Sequence, residues 1–144
     1  MATLPPVLSS ALATSLTAQK QLLKSNKRLE HAVANCERND IPAIAIGPSQ
    51  GHFLSILCQL IKAQSVLEIG TLGGYSTIFF AESVPGVHVT SIEFNPKHRD
   101  VALENIKGLG NVDILLGAAL DVLPKLADDG RVFDVRLAKG TICG

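Results

Sequence analysis

Residues 66–77 read Val-Leu-Glu-Ile-Gly-Thr-Leu-Gly-Gly-Tyr-Ser-Thr. An apolar run ends in an acid and a glycine, passes through a glycine-rich turn, and opens a helix-compatible segment. This is the order strand, tight loop, helix start, which turns backbone N–H groups toward a ligand above the strand. A second apolar run, residues 87–92, leads into Glu93. Glu68 and Glu93 are therefore expected at the ends of two early strands. Two carboxylates there suit a ligand carrying an amine or other cation and a ribose.

The flanking pattern supports an alternating fold. After Pro5-Pro6, the spacing of Leu12, Leu16, Leu23 and Leu29 predicts a helical segment within residues 1–40. Residues 41–48 are bounded by prolines and read as an extended connector. Phe53, Leu54, Leu57, Leu60 and Ile61 mark one face of an amphipathic helix, with Ser49 as its N-cap. Strands are expected at 65–69, 87–92, 112–116 and 131–137. Helices are expected at 75–83, from Asn95-Pro96 to about Gly108, and at 121–127. Pro124 fits the last of these only in its first turn. Strands and helices alternating at this spacing predict an α/β fold: a parallel sheet with right-handed crossovers.

Composition narrows the function. The 144 residues suffice for one domain, and 47% hydrophobic against 18% charged residues fits a buried sheet rather than a disordered chain. Thirteen basic and thirteen acidic residues cancel, so no nucleic-acid-binding face is expected. Cys36, Cys58 and Cys143 form no Cys-x-x-Cys pair, and His31, His52, His88 and His98 lie at no metal-ligand spacing. Free thiols in a reducing compartment are expected. No apolar run approaches the roughly 18–20 residues of a membrane span. The first 29 residues lack acids and carry Lys20, Lys24, Lys27 and Arg28, but these come late for a transit peptide. A soluble, cytoplasmic protein is the expectation.

In an open parallel sheet, ligands bind beyond the carboxyl ends of the strands. Those ends supply Glu68-Ile69-Gly70, Glu93-Phe94-Asn95 and Gly117-Ala118-Ala119. Glu93, about twenty residues past the glycine loop, is placed to accept both hydroxyls of a ribose, as against a solvated strand-end glutamate. A dinucleotide loop needs Gly-x-Gly-x-x-Gly, whose middle glycine admits a pyrophosphate. Leu72 stands in that place here, and Glu68 would repel a phosphate. S-adenosylmethionine carries no phosphate; its ammonium, sulfonium and ribose all suit acidic surroundings. The loop alone is also compatible with a structural glycine turn, which Glu68, Glu93 and Gly117 together disfavour. His88 reads as a packed strand residue, His52 and His98 as surface residues on helices, and Tyr75 as packing at the loop. None is assigned as a catalytic base.

Longer motifs carry a resemblance. Pro48-x-x-Gly51-x-Phe53-Leu54, Val66-Leu67-Glu68-Ile69-Gly70-Thr71 and Gly74-Tyr75-Ser76-Thr77 resemble the S-adenosylmethionine-dependent O-methyltransferases of the catechol and caffeoyl-coenzyme A type. Glu93-x-Asn95-Pro96, Ala102-x-x-Asn105 and Gly117-Ala118-Ala119-x-Asp121-x-Leu123-Pro124 continue the likeness in order, over roughly residues 41–134. It implies a Rossmann-like methyltransferase sheet with helices on both faces and N-terminal helices. It implies that Glu68 and Gly70 border the methionine part of the cofactor, that Thr71 and Ser76 contact it through backbone or hydroxyl, and that Gly74 belongs to the same cofactor-binding loop. Glu93 would hold the ribose; Gly117 and Ala118 would flank the adenine, and Ile46 would line the same pocket. Methyl transfer to a phenolic or catechol-like hydroxyl is implied, in many members with a divalent metal as Lewis acid.

The resemblance stops after Phe133-Asp134. The family pattern runs through apolar residues to a metal-binding aspartate, with a lysine shortly after; this chain reads Val135-Arg136-Leu137-Ala138-Lys139-Gly140 and ends at Gly144. Arg136 interrupts a strand that should be buried on both faces. Lys139 falls near the metal position but cannot replace a carboxylate. The expectation is a single partial domain: residues 1–40 helical, 41–134 the cofactor half, 135–144 a divergent tail from an altered reading frame. The later strands and the family's metal ligands are then missing, and the fourth strand is an exposed edge. Such a chain would be a poorly stable monomer or would self-associate as a homodimer. Three readings follow: an O-methyltransferase acting on a small-molecule acceptor, a cofactor-binding module without catalysis, and, disfavoured by Leu72 and Glu68, a nicotinamide-dependent dehydrogenase.

Overall fold

The computed structural model describes residues 25–139 and positions 5, 9, 10, 13, 14 and 17 before them. The expected helix positions Leu12, Leu16 and Leu23, and the tail beyond Lys139 with Cys143, lie outside the described residues. From residue 25 on, five helices and four strands follow in order among the described residues: α1 (Lys27–Arg38), α2 (Pro48–Ile61), β1 (Ser65–Ile69), α3 (Tyr75–Ala81), β2 (His88–Glu93), α4 (Pro96–Asn105), β3 (Val112–Leu116), α5 (Ala119–Asp128) and β4 (Val135–Ala138). All strands pair in parallel, in the order β3-β2-β1-β4. This is the doubly covered α/β sheet that the alternation predicts.

Side-chain alternation along β1 and β2 sorts the core. Val66 and Val89 point to one face and join Phe80, Val87 and Cys58; Leu67 and Ile92 point to the other and join Leu126 and Phe133. Helices therefore cover both faces: α2 and α3 on the first, α5 on the second. The central strands are buried, whereas β3 and β4 are only half covered and form the edges among the described residues. Edge position is why β4 tolerates Arg136: it is exposed, while Val135 and Leu137 pack against the core.

Four expectations need correction. Helix α2 starts at Pro48, so its N-cap is Gly47 and not Ser49; the Gln50 side chain accepts the Gly47 N–H at 2.8 Å. The buried stripe of α2 is Gly51, Leu54 and Cys58, because Gly51 packs under the Phe79 ring, where any Cβ would collide. Phe53, Leu57, Leu60 and Ile61 are consequently exposed. Pro124 sits in the second turn of α5, which begins two residues before the expected start because Gly117 ends β3 with φ +153 and frees Ala118 to cap. His88 is no core residue: it opens β2 half-exposed, 2.9 Å from Asp113 on β3.

Candidate functional site

The loop after β1 is built by backbone geometry. Gly70 and Gly74 hold φ of +89 and +79, and Leu72 holds +56, a left-handed conformation that a residue with a Cβ adopts at a cost of about 1–2 kcal/mol. Leu72 stays there because its N–H donates to Glu93 Oε2 at 2.7 Å. That bond removes the N–H a phosphate would use, so the loop offers no pyrophosphate cradle. The opposite side of the loop is pinned by Asn105 on α4, whose amide donates to the Gly73 carbonyl at 2.9 Å and accepts from Asn35 on α1 at 2.9 Å.

Glu93 closes β2 with only 7% exposure. Besides Leu72, it accepts the Asn95 N–H at 2.9 Å through Oε1, and the His98 ring lies 3.8 Å away. Each oxygen retains acceptor capacity toward the space above the sheet. His98 is thus half-buried beside this acid rather than a surface residue.

Glu68 has a different setting. It is the penultimate residue of β1, on the α3 face with Val66, and it is fully buried. Ser76 donates to Oε1; Thr77 and Ser91 donate to Oε2 at 2.5 and 2.7 Å. The ammonium of Lys139 lies 2.8 Å from Oε1 and also donates to Ser76. Thr71 is joined to the same web through Ser91 at 2.6 Å. A buried carboxylate needs such partners, and charge-assisted bonds supply them.

Two clefts open over the strand ends. One, of about 380 Å³, is bordered by Gly70, Ile92, Glu93, Phe94, Gly117, Ala118, Leu120 and Lys139. The other, of about 240 Å³, lies between α1, the 41–45 connector and the loop; it is largely apolar and includes Ala32, Ile41, Ala43, Thr71, Leu72, Tyr75 and Lys139. Lys139 is the wall they share.

Of the sequence-derived site residues, Gly70, Glu93, Gly117 and Ala118 meet in the larger cleft and Thr71 borders the smaller. Glu68, Gly74, Ser76 and Ile46 border neither: the first and third lie beneath the floor, Gly74 caps α3, and Ile46 sits half-buried on the connector. Sequence reasoning missed Ser91, Thr77 and Lys139. Ser91 was legible, because it shares a strand face with Glu93, two residues on. Lys139 was not, because only the β1–β4 register sets it beside Gly70.

The Cys36 thiol and the Tyr75 phenol stay neutral. Burial pushes the Cys36 thiol and the Tyr75 phenol up, with only a weaker opposing bond from Asn105 at Cys36. A raised thiol is a poor nucleophile, and Tyr75 instead packs edge-on against Phe79 at 5.5 Å. Cys58 is likewise a free, buried thiol. For a divalent cation the donor set does not fit: among the described residues no three His, Cys, Asp or Glu side chains converge, and an ammonium stands at the end of β4. No helix among the described residues is long and apolar enough to cross a membrane.

Comparison with known proteins agrees with this geometry. The O-methyltransferase family profile matches residues 17–139. A catechol O-methyltransferase of Mycobacterium tuberculosis is 38% identical over 91% of this chain and 58% of its own length. One from Niastella koreensis is 45% identical over 62% of this chain and 42% of its own. The crystal structure of an O-methyltransferase from Bacillus cereus in complex with S-adenosylhomocysteine superposes with a TM-score of 0.84 at 33% identity, covering 89% of this chain and 60% of that one. The chain thus spans about 60% or less of the length of these relatives. Within that span the folds superpose, and the chain belongs to the O-methyltransferase family.

Proposed function

We propose that this chain binds S-adenosylmethionine over the ends of β1, β2 and β3 and serves methyl transfer to the hydroxyl of a small phenolic or catechol-like acceptor. The observation that carries the reading is Glu93, a nearly buried carboxylate with spare acceptor capacity at the rim of the larger cleft. Its place suits the ribose hydroxyls, while Gly117 and Ala118, which present little side chain, leave room for the adenine. Gly70 admits the thioether part, and Thr71, Gly74 and Ser76 hold the loop that carries it. Glu68 fixes the α3 end of that loop from below. Ile46 would reach the pocket only after a movement of the connector.

When bound, the cofactor supplies an electrophilic methyl on a sulfonium, which a hydroxyl oxygen takes with loss of its proton. The chain's own contribution is placement. The apolar smaller cleft, with Leu72 and Tyr75 in its wall, suits an aromatic ring beside the cofactor site. No residue is assigned as the base, and no step is routed through a metal.

The test is calorimetric titration with S-adenosylhomocysteine of the chain and of Glu93→Ala. Saturable binding, weakened about tenfold or more by the substitution, is expected for loss of a charge-assisted acceptor. No binding by a folded chain would overturn the reading. A homodimer joined through the exposed α2 face, where Phe53 and Leu60 are 58% and 74% exposed, belongs to the same proposal. Sedimentation showing a monomer at high micromolar concentration would exclude it.

A further inference from the structure

Lys139 is the feature the proposed function leaves unexplained. Its side chain is 19% exposed, it is the shared wall of both clefts, and its ammonium is turned inward onto Glu68. The backbone holds it there: Lys139 N–H donates to the Ile69 carbonyl at 2.8 Å, and its own carbonyl presses on Gly70, where a Cβ would come within 2.7 Å. Gly70 is thus the reason β4 can deliver a side chain to this point.

The inward ammonium saturates the acid. Glu68 Oε1 is taken by Ser76 and Lys139, Oε2 by Thr77 and Ser91. A carboxylate has about four acceptor positions, so a further cation finds none free. Any ligand ammonium seeking Glu68 must displace Lys139, and the one that does so leaves a second positive charge in the same partly buried space.

We propose that Lys139 is a tethered cation that cancels the advantage this site would otherwise give a nucleoside thioether carrying an amino-acid tail over one without it. The inference rests on the cofactor-site reading above and adds to it a ligand preference. The Glu93 end of the cleft, which would take ribose and base, is open to both ligand types. Glu68 lies beneath the floor of that cleft, and the approach by which a ligand ammonium would reach it is already filled by Lys139. Displacement lowers apparent affinity by the fraction of time the ammonium is away from Glu68.

The probes are S-adenosylhomocysteine and 5′-methylthioadenosine, identical up to the sulfur and different in the tail. Both are titrated calorimetrically into the whole chain, Lys139→Met and Lys139→Gln. The wild-type chain is expected to bind the two within about threefold of each other. Each variant is expected to gain about tenfold for S-adenosylhomocysteine, with 5′-methylthioadenosine unchanged. Lys139→Arg, which keeps the cation, is expected to keep the wild-type ratio. A wild-type preference of about tenfold or more for S-adenosylhomocysteine overturns the inference and leaves the cofactor site standing. So does weaker binding of S-adenosylhomocysteine by the variants, which would mean that Lys139 pairs with the tail carboxylate. Binding of neither probe overturns both. The wild-type ratio alone decides should the variants fail to fold.

Discussion

The ends of β1 and β2 carry the same residue type and do opposite things with it. Glu68 is sealed: four donors surround its carboxylate and no cleft reaches it. Glu93 is open: two backbone N–H groups hold it at the rim of the larger cleft, with capacity left over. The difference comes from side-chain geometry and not from composition. Glu68 lies one residue before the strand end, over α3 and its hydroxyls; Glu93 lies at the end, beside the start of α4 and bordering the larger cleft. An acid inside the sheet holds the loop in place, whereas an acid at its rim is free to meet a ligand.

The strongest way to break that contrast is Glu68→Ala. It strands Ser76, Thr77, Ser91 and the Lys139 ammonium around an empty volume. Removal of one partner from a buried ion pair costs about 3–5 kcal/mol, a large share of a domain's stability. Denaturant unfolding should show that loss; a change below about 1 kcal/mol would mean that the web does not hold the loop. Asn105→Ala comes next. It frees the Gly73 carbonyl and leaves the Asn35 amide with Glu104 as its remaining acceptor, for an expected loss of about 1–3 kcal/mol. Because the loop also positions the Leu72 N–H against Glu93, S-adenosylhomocysteine affinity should fall with it. Lost stability with unchanged affinity would show that Asn105 supports the loop without positioning the rim.

What the sequence made legible follows the same division. The bounds of β1 and β3 coincide with those read from the apolar runs, and Asn95 before Pro96 caps α4 as its residue type predicts. These are local properties, set by residues close together in the chain. Two helix starts were misplaced by two residues, and the errors that bear on packing are mostly long-range. Phe53 and Leu60 looked like a core face because they are apolar; the α2 stripe that is buried was chosen by the Phe79 ring, 28 residues beyond Gly51. His88 looked like core because its strand is central, yet it stands at the strand's open beginning. Lys139 looked like the failure of a motif, and its reach to Glu68 depends on a parallel pairing between β1 and β4. Glu68 itself was readable in part: alternation puts it on the face of Val66, which points inward.

The beginning of the sheet supplies the mildest test, since it should affect stability and leave the cleft alone. There Asp134 accepts the N–H groups of Gln64 and Ser65 at 2.8 and 3.0 Å and ties the entry of β4 to that of β1. Those two bonds hold its carboxyl below the usual carboxylate value. With a folded pKa below the unfolded one, the contribution is complete above the unfolded pKa and disappears as pH falls through the folded one. The wild-type melting temperature should therefore fall more steeply than that of Asp134→Asn as pH drops from about 5 to 2. The slope difference between the two proteins is the quantity to read. The group is exposed and solvent screens it, which makes this effect smaller than that of Glu68 or Asn105. Parallel slopes would show that the pinned turn stabilises nothing. A loss of S-adenosylhomocysteine affinity in Asp134→Asn at neutral pH would show that the two ends of the sheet are coupled, against the division drawn here.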